Sequence, residues 1–175
     1  KIYDYTGKDI TSKCKEAVEE LNKKHFGDCI LDASFVLFDG DDSLKRKEAV
    51  EYLEGKRDGK PRIHVFDIMR HNEENLMEDT LQNRMQIMFN NYSIHSSEAL
   101  TFPSKKDTRV ADSLKDVDEY ARKIMEMPTA EGAMIKDATS TYFLGTKKNP
   151  KWIRWKPFVE LDLIVLDKKK SAFNF

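Results

Sequence analysis

The chain has 175 residues, and its 30 lysines and arginines stand against 31 aspartates and glutamates for a formal charge of -1. That length holds one domain with a sizeable core, and the charge balance excludes a globally basic nucleic-acid binder, so any phosphate-binding surface has to be local. No apolar run reaches bilayer length and no signal peptide opens the chain, which begins at Lys1 and reads as part of something longer. Cys14 and Cys29 lack metal-ligand spacing and are too few for a disulfide framework, so they are expected as buried thiols in a reducing compartment.

In chain order, KIYDYT reads as a short strand and GKD as a turn. Thr11 or Ser12 can cap a helix with Cys14, Ala17, Val18 and Leu21 on one stripe. DCILDASFVLFDG is apolar on both alternating faces from Ile30 to Phe38, the pattern of a central strand covered on two sides. SLKRKEAVEYLEG is a charged helix, KRDGKP a turn and RIHVFDIM a strand, followed by the polar loop HNEEN. A helix around DTLQNRMQIMFNN places Leu81, Met85 and Met88 together, and short strands are expected near Tyr92 and Leu100. KDVDEYARKIMEM is helical up to Pro128, with Val117, Tyr120, Ala121, Ile124 and Met125 inward. GAMIKD, KWIRWKP and FVELDLIVLD are strands. Without a regular βαβ period or a Gly-rich phosphate loop, the pattern predicts an α+β domain of antiparallel sheets flanked by helices.

Chemistry concentrates late in the chain. In KWIRWKP the two-residue strand period puts Trp152, Arg154 and Lys156 on one face, with two cations about 7 Å apart that can grip a phosphate. A solvated charged face has the same spacing. In EGAMIK the period sets Glu131 opposite Lys136, and the acid gains meaning only if its strand lies beside the basic one with a divalent metal between carboxylate and phosphate. Phe66 in HVFDIM reads as core or as a platform for a flat base, with Asp67 facing the other way. His25, His64, His71 and His95 form no close ligand pair, and no zinc site is expected.

Taken together these residues resemble the nucleotidyltransferase (adenylation) domain of ATP-dependent DNA ligases, an ATP-grasp-like fold related to RNA ligases and mRNA capping enzymes. Glu131-Gly132-Ala133-Met134-Ile135-Lys136 is similar to that family's motif IV and Trp152-Ile153-Arg154-Trp155-Lys156 to its motif V, with Ser140, Tyr142 and Gly145 between them. Val65-Phe66-Asp67-Ile68-Met69 resembles motif IIIa, and LMEDTLQNRMQIM the helix that follows it. Motif order and intervals agree over nearly the whole chain. The resemblance implies that Phe66 stacks on adenine, that Glu131 binds Mg²⁺, and that Arg154 and Lys156 contact the α-phosphate of ATP. It implies a three-step reaction: a lysine attacks ATP to give lysyl-AMP, AMP passes to a 5′-phosphate at a nick, and a 3′-hydroxyl displaces AMP. The partner would be nicked double-stranded DNA, bound by a monomer with no membrane association, in a prokaryotic cytoplasm or a eukaryotic nucleus.

Three departures from the family pattern stand out. The nucleophile belongs to a K-x-D-G motif, and the literal match Lys56-Arg57-Asp58-Gly59 precedes Phe66 by only ten positions in a Lys/Gly/Pro-rich turn. The nucleophile is therefore expected before Lys1, and residues 1–160 as an adenylation domain without it. Ser34 stands where the family has a glutamate that helps bind the ribose or order the metal site, and keeps only a single uncharged hydroxyl. Arg154 replaces a lysine, preserving charge with a larger planar group. Residues 161–175 resemble the lead into an oligonucleotide-binding barrel, which needs about five strands and is mostly absent. The chain alone is expected to be inactive in self-adenylation. RNA ligase, capping-type transferase and non-catalytic nucleic-acid-binding remnant are the alternatives.

Overall fold

The fold is taken from a computed structural model that describes residues 1–24, 26–105, 108–126, 132–144 and 149–156. After a 3₁₀ turn at Thr11–Lys13, helix α1 (Lys15–Lys23) leads to strand β1 (Cys29–Asp39), which turns at Gly40 into β2 (Asp42–Ser43). Helix α2 (Arg46–Leu53) follows, then strand β3 (Lys60–His71) and the short β4 (Glu74–Asn75). Helix α3 (Leu81–Asn91), a 3₁₀ turn at Ser93–His95, β5 (Leu100–Thr101) and helix α4 (Leu114–Met125) come next. The hairpin β6 (Ala133–Lys136) and β7 (Trp152–Trp155) ends the described chain.

β1 and β3 run antiparallel from the Cys29/His71 pair to the Phe38/Lys60 pair and form the spine of a five-stranded sheet in the order β2-β1-β3-β4, with β5 also on β3. One face of this sheet is the core. Ile63, Val65 and Ile68 of β3 pack there with Cys14 just before α1, Ala17 of α1, Met88 of α3, and Tyr92. The small residues on α1 let that helix approach the sheet closely. Tyr92 is flanked by Phe26 and Phe102 at ring distances of 4.9 and 5.6 Å, a tilted arrangement aromatic pairs prefer. Two helices have side-chain caps that accept from the first-turn amides, Thr80 from Asn83 and Ser113 from Asp116, which satisfies donors that a helix start leaves free.

The α+β architecture with antiparallel sheets and flanking helices is the one predicted, and four details differ. KIYDYT makes only an isolated bridge between Tyr3 and Asp9. Thr11 does not cap α1: its hydroxyl accepts from the Ile2 amide at 2.9 Å and so pins the N-terminal segment instead. The segment after Tyr92 is a 3₁₀ turn, and β5 pairs parallel to β3 through Ile63/Leu100. β1 is less covered than predicted: Ile30, Ala33 and Ser34 are exposed, so neither face of its first half is fully closed. Residues 157–175, including the strand predicted for FVELDLIVLD, lie outside the described residues.

Candidate nucleotide-binding site

The register of β1 on β3 slips at two places. Asp32 pairs with Asp67 and Ala33 with Val65, so Phe66 is an extra residue on β3; Met69 is a second. Such bulges bend a strand and re-aim its side chains, and they gather near active sites. The first one overturns the expectation that Asp67 faces away from Phe66. With one residue inserted strict alternation fails: the half-buried Phe66 meets Trp152 and Lys136 of the hairpin, and the buried Asp67, paired with Arg84 of α3, bears on the same Lys136.

The hairpin lies over this bulge. Its register pairs Met134 with Arg154 and Lys136 with Trp152, and directly opposed residues share a face. Trp152 stands edge-on to Phe66, with ring centroids 6.5 Å apart and planes at 80°. Lys136 places Nζ 3.9 Å from the Trp152 ring centre and 5.1 Å from that of Phe66. The same ammonium donates a long hydrogen bond, 3.5 Å, to the Phe66 carbonyl. Burial pushes Lys136 below the ordinary lysine pKa, an effect partly offset by the carboxylates of Asp67 and Asp32 and reinforced by Arg84.

Arg154, two residues beyond Trp152, is exposed on the same hairpin face, and Lys156 follows directly after β7, also exposed. Gly132 fixes how the hairpin opens toward them. A Cβ on it would lie 2.4 Å from the Trp155 carbonyl oxygen and 3.3 Å from Cγ of Lys156, so only glycine permits the two strands to approach this closely. Its φ of +154° also departs from strand geometry, and β6 starts at the next residue, Ala133. Glu131 itself lies outside the described residues, as do Gly145 and Pro128. Ser34 is exposed on β1 opposite His64. The His64 ring shares a 2.9 Å hydrogen bond with the Thr101 hydroxyl, and burial lowers its pKa.

Beneath the aromatic slot is a charged network that sequence reasoning missed. Arg84 of α3 and Asp67 are both fully buried and paired in a fork, Nε to Oδ1 at 2.8 Å and Nη2 to Oδ2 at 3.1 Å. Arg84 also donates to the carbonyls of Asp79 and Ser140. Tyr142 donates to Asp32 at 2.6 Å, and burial together with that bond raises its pKa. The loop between β6 and β7 is thereby tied to the sheet: the amides of Leu81 and Gln82 donate to Ser140 and Ala138, and the Tyr142 amide to Met77. An Asp followed many residues later by an Arg in a helix is too common a pattern to flag such a pair. Among the described residues no group of three His, Cys, Asp or Glu side chains is arranged to hold a metal ion.

The K-x-D-G match is the turn into β3. Lys56 is exposed and held to Glu54 at 2.7 Å, a contact that raises its pKa. A Cβ on Gly59 would meet the Leu37 side chain at 2.8 Å, so this glycine serves the packing of the sheet.

The fold is that of a nucleotidyltransferase domain of the DNA ligase type, as the comparisons show. The family described as "ATP dependent DNA ligase domain" matches residues 1–156, and the chain belongs to it. It is 28% identical over 174 residues to DNA ligase 2 of Haloquadratum walsbyi, covering 94% of this chain and 26% of that protein. It is 25% identical over 187 residues to a DNA ligase of Methanococcus aeolicus, covering 99% of this chain and 31% of that one. The chain thus spans between a quarter and a third of these relatives' length. The ligase domain of M. tuberculosis LigD shares the fold, with a TM-score of 0.60, 18% identity, and coverage of 88% of this chain and 46% of that one. A mycobacterial DNA ligase D complexed with ATP and MES aligns with a TM-score of 0.59 at 18% identity, over the same shares of the two chains. No helix among the described residues is long and apolar enough to cross a membrane.

Proposed function

We propose that this chain is the greater part, residues 1–160, of the adenylation domain of an ATP-dependent DNA ligase that seals nicks in double-stranded DNA as a monomer, in replication, repair or recombination. Residues 161–175 would lead into its oligonucleotide-binding domain, and the compartment would be the cytoplasm of a prokaryote or the nucleus of a eukaryote. The observation that carries this reading is the packing of the β6–β7 hairpin on the bulge, which seats Trp152 and Lys136 against Phe66 on the hairpin face that also bears Arg154.

In this reading the adenine of ATP stacks on Phe66, while Arg154 and Lys156 hold the α-phosphate one and two strand steps further along. Two cations converging on one phosphoryl group offset negative charge that grows as AMP is transferred. Ser34 offers the ribose one hydrogen bond where a glutamate would offer a charge. Glu131, one residue from the close contact of Gly132 with Trp155 and Lys156, would hold Mg²⁺, whose charge would draw electrons from the phosphate.

Titration of the chain with ATP, followed by Trp152 fluorescence, tests the proposal. Phe66→Ala and Arg154→Ala are each expected to weaken binding about tenfold or more, the loss of one stacking or charge-assisted contact. In Glu131→Gln the dependence of affinity on Mg²⁺ is expected to vanish. ATP binding that ignores all three substitutions would end the reading.

A further inference from the structure

We infer that Lys136 is a positioning residue of the base slot: its ammonium holds the bulged Phe66 platform and the Trp152 wall in the orientation that receives a purine. This rests on the reading that a purine nucleotide stacks on Phe66.

Three contacts converge on one atom. The bulge takes Phe66 out of the one-to-one pairing of β1 with β3, and its carbonyl is met by Lys136 Nζ. The same Nζ lies over the Trp152 ring at 3.9 Å and near the Phe66 ring at 5.1 Å. Trp152 Nε1 is buried and has no hydrogen-bond partner among the described residues. An indole with no bond at its N–H keeps its rotation only through what touches its faces and edges. The ammonium above it and the Phe66 ring beside it are two such contacts. An apolar side chain of equal length would fill the volume but could neither donate to the carbonyl nor attract both ring faces.

Charged groups on three packed elements bear on it. Asp67 of β3 and Asp32 of β1 favour the ammonium, while burial and Arg84 of α3 oppose it. Tyr142, bound to Asp32, keeps its proton in this setting. Lys136 thus gives up its proton more readily than a surface lysine.

The experiment uses this chain with Trp155→Phe, so that Trp152 is the sole indole. Lys136→Met is expected to weaken ATP binding about tenfold, the size of one desolvated cation–π contact, while binding of tripolyphosphate, which has no base, stays unchanged. Lys136→Arg should recover ATP affinity to within about threefold, because it restores charge and donors. With native Lys136, Trp152 emission should titrate below the ordinary lysine value of about 10.4, and this transition should be absent from both variants. The comparison with Lys136→Arg, which keeps the charge, carries the titration even if Lys136→Met does not fold, and a transition unchanged in Lys136→Arg would overturn the inference. Equal ATP affinity in Lys136→Met, or equal losses for ATP and tripolyphosphate, would overturn the inference. A chain that fails to bind ATP with Lys136 in place would instead overturn the nucleotide reading on which it rests.

Discussion

The guanidinium of Arg84 and the carboxylate of Asp67 meet in a two-point fork with no part of either side chain exposed to solvent. A buried pair of this kind is costly to break from one side, since the surviving charge is left without its partner. Arg84→Met is therefore expected to lower stability by about 3–5 kcal/mol, measured by urea denaturation. Because Arg84 also donates to the Ser140 carbonyl, the β6–β7 loop should become more open to proteolysis. The double variant with Asp67→Leu should be less damaged than the sum of the two single ones.

Gly132 is the other point at which the slot depends on one residue. Its replacement by alanine drives a Cβ to 2.4 Å from the Trp155 carbonyl, so the strands must part. Gly132→Ala should cost about 1–3 kcal/mol in thermal or chemical unfolding. It should also weaken ATP binding more than Ala133→Gly, which lies on the opposite face and removes only a methyl group.

Cys14 gives the protein a pH dependence of predictable sign. Burial raises its thiol from 9.0 to about 11, so the folded state favours the protonated form that the unfolded chain loses first. Its contribution is complete below pH 9 and declines as pH rises toward about 11, by up to about 3 kcal/mol. Cys29 and Tyr92 are also raised, chiefly by burial, while Lys136 is lowered and works the other way. The clean measurement is thus a difference: the unfolding free energy of Cys14→Ala should fall less steeply between pH 9 and 11 than that of the parent chain.

Lys56 is the negative prediction. It is exposed, its pKa is raised by Glu54, and it belongs to the turn at the far end of β3 from Phe66. A nucleophilic lysine needs the opposite, a depressed pKa beside the reacting group. Incubation with radiolabelled ATP and Mg²⁺ is expected to give no acid-stable, hydroxylamine-labile adduct at Lys56. Such an adduct, lost in Lys56→Ala, would reassign the motif.

Local pattern was enough for the helices and the long strands. The stripe of Cys14 and Ala17 at the start of α1, the run from Ile30 to Phe38, and Ala121 facing inward on α4 each follow from periodicity and burial of apolar surface. The pairing of Ala133–Lys136 with Trp152–Trp155 was only a condition at the level of sequence, and the fold supplied it. The fate of Lys56 was legible as well, since a Lys/Gly/Pro-rich stretch after a helix favours a turn.

What the sequence settled by itself is which residues are apolar at which period, and so where the helices and the long strands form. Tertiary structure alone decided the bulge at Phe66, the parallel partner of β3, the burial of Arg84 against Asp67, and the turning of Lys136 into the aromatic slot. A one-residue slip between strands leaves no mark in either strand, because it is fixed by the match of two surfaces far apart in the chain. A buried charge leaves none either, since Lys136 and Arg84 look like any surface cation until the fold removes water from around them and supplies their partners.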